Sequence, residues 1–274
     1  MYNRKSLSGV SIAITNTMDA YDKNAPLMDK RKSPEFTIKI ANRLEERDAA
    51  FRLAYQAYLD KGYIKENLQE KLIRNYDIDS ETVIFIVQDK FKNVVGSATL
   101  VFGDNLKLPA DKVYTEELKE LRKRHPKIAE LSRLVISNEF RNSIDILVLL
   151  FNYAAIYITQ VKKCNGLAVE VNPRHKNYYK ALLSFEEVGM EKPCPQVQNA
   201  AGVLLYLPAS KYQEIILNRE FSSSKERSLY PYFLNAEQEN LVAYYLKKQT
   251  KPMTAEEKIY FGFTESGKFA SCKL

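Results

Sequence analysis

The sequence predicts an α/β (α+β) fold: a mixed sheet with helices on both faces, followed by a helical C-terminal extension. Three observations predict it. Apolar residues recur at helical spacing over 43–61 and again beyond residue 209. Two strand-like runs at 82–102 flank a polar turn, "DKFKN". Residues 128–207 then read strand, helix, strand, helix, strand, strand, an order that places helices against a sheet.

Residues 1–35 are polar and turn-rich and read as an N-terminal arm; 36–208 form the core and 209–274 the extension. In "RLEERDAAFRLAYQAYLDK", Leu44, Phe51, Ala54, Tyr55 and Tyr58 line one helical face, and Gly62 ends the run. "ENLQEKLIRNY", 66–76, reads as a second helix. "TVIFIVQ" (82–88) and "NVVGSATLVF" (93–102) form a hairpin, and a charged helix follows at 115–124. The strand 128–137 alternates Ile128, Glu130, Ser132, Leu134 and Ile136 on one face with Ala129, Leu131, Arg133 and Val135 on the other. An apolar helix spans 144–162, a strand 167–171, and a helix with proline in its first turn begins at "NPRH". "EEVGM" and "GVLLYL" close the core. Helices are expected at 209–219, 236–249 and from 255, where Thr254 and Glu257 form a capping box.

Of the 274 residues, 45% are hydrophobic and 27% charged, the composition of a globular rather than a disordered chain. The opening residues hold no apolar run of signal-peptide length. The most apolar run, 144–158, contains Asp145 and Asn152 and falls short of a membrane span, so a buried helix is expected and no transmembrane segment. Three cysteines and two histidines are too few and too scattered for a zinc site, so no metal is expected. The odd cysteine count fits a reducing cytoplasm. Cys164 and His175 could pair as a nucleophile and base, although Cys164 at a helix end also suits a buried structural thiol.

The net charge of +7 favours an anionic partner, and Lys119, Arg122, Lys123, Arg124 and Lys127 cluster in "KELRKRHPK". A solvated helix end whose cations suit the dipole is the alternative. No nucleic-acid signature accompanies the charge, and no nucleic-acid partner is expected.

The chemistry concentrates in "ELSRL". Glu130 and Ser132 share a face of a strand that is otherwise apolar. A bare carboxylate there costs several kcal/mol, as an order of magnitude, unless paired or protonated. Either Glu130 belongs to an internal ion pair, or the strand lines a cleft in which it is a base of tuned pKa.

"ELSRLVIS", the helix behind it and "VEVNPRHKNYYKALLSFEEVG" resemble the catalytic core of the N-acyl amino acid synthases. Those enzymes have the Gcn5-related N-acyltransferase fold and are related to the acyl-homoserine-lactone synthases, whose Glu-x-Ser-Arg strand "ELSR" matches. "FRLAYQAYLDKGYI" is similar to the family's opening segment, where Arg52 is the arginine this chain offers. The resemblance covers about 43–207. It implies transfer of a fatty acyl group from acyl carrier protein to the amine of an amino acid. No cofactor is bound permanently, and the donor is the carrier's acyl-phosphopantetheine. Glu130 is the expected base, and Ser132, Arg133, Asn172, Arg174, His175, Tyr178, Tyr179 and Arg52 are the expected substrate contacts. Where acetyltransferases of this fold keep a glycine loop for the coenzyme A pyrophosphate, this chain has "RNSIDI", with Ile144 and Ile146 in the glycine places. Asp145 there suits the helix dipole but repels a pyrophosphate, so a carrier-borne phosphodiester is expected, docked by Arg122, Lys123, Arg124 and Arg141. Two other readings stay open. A homoserine-lactone synthase would usually hold a tryptophan in the opening segment, and the chain has none. A non-catalytic acyl-chain or peptide binder would have no need of a buried Glu130.

Overall fold

A computed structural model describes residues 36–103, 107–218 and 228–264; the expected N-terminal arm lies outside them. One seven-stranded sheet organises the chain. Its strands are β1 (Phe36–Ile40), β2 (Val83–Asp89), β3 (Val94–Phe102), β4 (Ile128–Ile136), β5 (Gly166–Val171), β6 (Glu186–Cys194) and β7 (Ala200–Pro208), in the order β1-β2-β3-β4-β5-β7-β6. Every neighbouring pair is antiparallel except β4 and β5. The strand β1 was not foreseen from the sequence.

The helices divide between the two faces, as the strand–helix order requires. α1 (Leu44–Leu59) and α2 (Thr115–Arg124) cover one face, where Phe51, Ala54, Leu118 and Leu121 are buried. α3 (Ile144–Ile156), α4 (Pro173–Leu183), α5 (Ala209–Asn218) and α6 (Ala236–Gln249) contribute to the core of the other. α3 continues as a π-helical turn, Tyr157–Val161. The combined Ile144–Val161 is long and apolar enough to cross a membrane, but 72% of it is buried within the fold, as a core helix should be. Thr254 caps α7 (Ala255–Tyr260) as expected, accepting from the Glu257 N–H at 3.2 Å.

Two local expectations are corrected. Residues 66–76 form no α-helix; the only regular element is a 3-10 turn, Asn75–Ile78. Leu68 is 99% exposed, so a helix here would have little apolar face to bury, and short helices depend on such burial. The Leu72 backbone is also engaged elsewhere: its N–H donates to the Phe51 carbonyl at 3.1 Å and its carbonyl accepts from Arg133. The second correction concerns β4. Thr99 pairs with Ser132 and Ser97 with Val135, so Arg133 and Leu134 oppose a single residue of β3. Arg133 takes φ +49° in this bulge. The alternation breaks there, and the Arg133 side chain joins Glu130 and Ser132 on one face instead of opposing them.

The gap that positions the site is between β4 and β5. Their parallel ladder runs only through Ile128–Gly166, Ala129–Leu167 and Glu130–Ala168. Beyond Glu130 the two strands have no ladder partner across the gap.

Candidate active site

A cavity of about 130 Å³ opens on the α1 face where β4 and β5 part. Its floor is Glu130 and Ser132 of β4, Glu170 of β5 and Gly202 of β7. Tyr58, Tyr63, Arg74 and Tyr76 come from α1 and the segment after it, and Pro109 and Gln196 are among the other wall residues. A cavity near this size takes a molecule about as large as benzene, room for a reacting head group but not for an extended acyl chain.

Glu130 is 2% exposed, and its Oε2 accepts from the Ala110 N–H at 2.8 Å. That N–H is aimed by the Pro109–Lys112 turn. Asp111 fastens the turn, accepting from the Leu108 N–H at 2.7 Å and from both Nη atoms of Arg122 at 2.6 and 2.7 Å. Burial raises the Glu130 pKa well above the carboxylate range. The Ala110 N–H opposes the shift, and the Glu170 and Asp111 charges reinforce it.

Glu170 is the second carboxylate of the floor, and sequence reasoning missed it. Ala168 pairs with Glu130, so Glu170, two residues on, shares the Glu130 face. Its Oε1 is buried with no hydrogen-bond partner. Burial raises its pKa too, opposed by a hydrogen bond from the Cys194 thiol. Gly202 lies across from it: a Cβ there would stand 2.4 Å from Oε1. Burial, with the Glu170 charge beside it, pushes the Cys194 thiol up to about 12, so it stays protonated. The signal for Glu170 was present in "LAVEV", a lone carboxylate in an apolar strand, the same cue that singled out Glu130.

The other expected residues separate into groups. Ser132 lines the cavity, its Oγ 3.3 Å from the Tyr76 hydroxyl. Arg133 also borders the cavity, but its guanidinium grips Asp77 through both Nη atoms and donates to the Leu72 carbonyl at 2.8 Å and Thr99 Oγ1 at 2.9 Å. Burial works against its charge and Asp77 outweighs it, so its pKa is raised. Asn172 lines the cavity and caps α4, accepting from the Arg174 N–H at 3.2 Å. Arg174 and His175 stand at the rim. Arg174 donates to the Tyr63 hydroxyl at 3.3 Å and to His175 Nε2 at 3.1 Å. Partial burial, then the Arg174 and Lys61 charges, lower the His175 pKa. Tyr179 packs against Phe151 and Phe185 at 5.5 Å, with Tyr178 beside it, and neither lines the cavity. Arg52 pairs with Asp48 at 2.7 Å on the surface. Cys164 precedes β5 and His175 follows it, so the strand separates that pair.

The basic cluster is split as well. Arg122 is turned inward to Asp111, while Lys123 pairs with Glu120 at 2.6 Å and both Lys123 and Arg124 are exposed. These residues precede β4 and the exposed Arg141 follows it, so the length of the strand lies between them. Ser143 caps α3 beyond Arg141, its Oγ accepting from Ile146 N–H at 3.4 Å. Among the described residues, no group of three His, Cys, Asp or Glu side chains is placed to hold a metal ion.

A mixed sheet flanked by helices on both faces, with β4 and β5 parting beyond Glu130, is a Gcn5-related acyltransferase fold. The structure of FeeM, an N-acyl amino acid synthase from uncultured soil microbes, aligns with TM-score 0.58 at 21% identity, over 68% of this chain and 97% of that one. The acyl-homoserine-lactone synthase LasI gives 0.51 at 18%, over 64% and 90%. TofI, solved with an inhibitor and MTA, gives 0.50 at 14%, over 64% and 91%. No curated protein matches by sequence. The sequence profile of the family "N-acyl amino acid synthase FeeM" matches residues 49–208, and the chain belongs to that family. It is an acyltransferase.

Proposed function

We propose that this acyltransferase moves a long-chain fatty acyl group from acyl carrier protein to the amine of an amino acid. The observation that carries the reading is the pair of carboxylates in a small cavity where β4 and β5 separate, the buried Glu130 and the half-buried Glu170. An amino acid arrives as an ammonium and must lose a proton before it can attack, so the site needs a base with a pKa near neutral. Glu130 is the proposed base: it lies on the cavity floor, its Oε2 is fixed by the Ala110 N–H, and burial raises its pKa above the ordinary carboxylate range. The ammonium gives one proton to Glu130, directly or through a water. The free amine attacks the thioester carbonyl carbon, the carbon–sulfur bond breaks, and the departing thiolate takes the second proton as the amide forms. Strand backbone beside the gap is the proposed source of N–H donors for the oxyanion.

The cavity holds the acceptor, so the acyl chain enters along the gap between the strands. Two features support a carrier-bound donor: the isoleucines in "RNSIDI" and Asp145 at the first turn of α3. Arg141 is at the end of β4 where the strands diverge, which makes it the better docking contact than Lys123 and Arg124 at the opposite end. Steady-state kinetics with matched acyl chains tests the donor: acyl carrier protein should give the higher specificity constant. Equal or better use of acyl-coenzyme A would refute the carrier assignment. Mass spectrometry of the products, with each amino acid offered in turn, identifies the acceptor.

A further inference from the structure

Arg74 is a cation that neither the fold nor the steps above account for. It lies just before the 3-10 turn Asn75–Ile78 and lines the same cavity as Glu130 and Glu170. Its Nη2 donates to the Gln196 carbonyl at 3.3 Å, and it pairs with no carboxylate among the described residues. Arg133, by contrast, has its charge taken up by Asp77. Across the cavity, the unpartnered Glu170 Oε1 is held in the space that Gly202 leaves open. The segment Cys194–Val197 joins the two: the Cys194 thiol hydrogen-bonds the Glu170 carboxylate, and the Gln196 carbonyl accepts from Arg74. The cavity therefore presents to one small molecule a guanidinium with no carboxylate partner among the described residues and a carboxylate with one unpartnered oxygen.

We infer that Arg74 and Glu170 form a clamp for a zwitterion, Arg74 taking the carboxylate and Glu170 the ammonium of a free α-amino acid. The inference rests on the acyl-transfer reading above and adds the acceptor's orientation. A planar guanidinium matches a carboxylate with paired N–H donors, which a lysine cannot reproduce. Glu170 holds the ammonium beside Glu130, which accepts the proton. The acceptor's α-carboxylate is thus a requirement of binding, and amines without it are poor substrates.

The test uses the full chain with acyl carrier thioester and, for one amino acid, its primary amide and its decarboxylated amine. The wild type should favour the acid in kcat/KM by about 10–100-fold, the worth of a hydrogen-bonded charge. Arg74→Gln should erase that preference, raising KM for the acid while leaving the amide unchanged, and Arg74→Lys should restore it only in part. Glu170→Gln should raise KM for all three amines, whereas Glu130→Gln acts on kcat. A wild type that prefers the amide overturns the clamp, as does an Arg74→Gln variant that keeps the acid preference or loses acid and amide turnover equally. If the wild type acylates none of the three, nor any other amine, the acyl-transfer reading itself fails, and the clamp with it.

Discussion

Glu130 and Arg133 are three residues apart in one strand and both buried, but their surroundings treat the two charges differently. The Arg133 charge is compensated: Asp77, Thr99 and the Leu72 carbonyl engage both Nη atoms, leaving only Nε without a partner, and the Phe51 and Tyr76 rings lie 5.5 and 5.2 Å from its guanidinium carbon. Glu130 has one backbone donor and two carboxylate neighbours, so its ionised form is held at a cost. Glu130→Gln should therefore lower kcat by about 10²–10⁴-fold while preserving the fold. Its effect on stability has a definite sign. A carboxyl whose folded pKa is raised contributes stability below its unfolded pKa and loses it as pH rises toward the folded value. The wild type should thus lose stability relative to Glu130→Gln as the pH climbs from the ordinary carboxylate range. Denaturant titrations at several pH values check this, and a constant difference across that range would show that Glu130 is not shifted.

At the scale of elements, the Pro109–Lys112 turn transmits the position of α2 to the active carboxylate. Arg122 of α2 holds Asp111, Asp111 holds the turn, and the turn offers the Ala110 N–H to Glu130. Arg122→Glu replaces a bidentate pair with repulsion and should lower kcat by about 10–100-fold with any donor, since small displacements near a reacting group are costly. Lys123→Glu, on the next and exposed position, should leave turnover of a small pantetheine thioester unchanged. Equal losses in the two variants would make the helix end a common structural unit. Unchanged kcat in Arg122→Glu would remove the turn from the mechanism.

At the scale of the molecule, the described residues beyond β7 belong to the same packed body as the sheet. Phe261 is fully buried, its ring 5.0 Å from that of Phe51 on α1, and Arg47 reaches Glu257 and the Lys251 carbonyl at 2.5 and 2.8 Å. On the opposite face, Asn152 of α3 donates to Glu239 of α6 at 3.2 Å, and Tyr212 of α5 does so at 2.5 Å. α6 and α7 therefore brace opposite faces of the sheet. Phe261→Ala should destabilise the protein by about 3–5 kcal/mol in urea unfolding, the usual result of emptying a buried aromatic site. A loss within about 0.5 kcal/mol, as for surface substitutions, would mean that the extension is peripheral.

The sequence by itself determined the elements with strong local patterns. The α1 periodicity, the strands on either side of "DKFKN", the capping box at Thr254 and the apolar α3 are all placed by spacing and caps that act over a few residues. It also exposed Glu130, because a carboxylate in an apolar strand conflicts with its surroundings. Tertiary structure decided what those local signals could not carry. The β4 bulge moved Arg133 to the Glu130 face, and the buried ion pair with Asp77 depends on residues 56 positions apart in the chain. Leu72 was drawn from an expected helix into contacts with α1 and Arg133. Arg74, Glu170 and Gly202 meet only because β5, β7 and the segment before β2 converge around one gap. Spacing along the chain records the short-range geometry of helices and strands; the company a side chain keeps across the sheet is set by packing, and no local pattern encodes it.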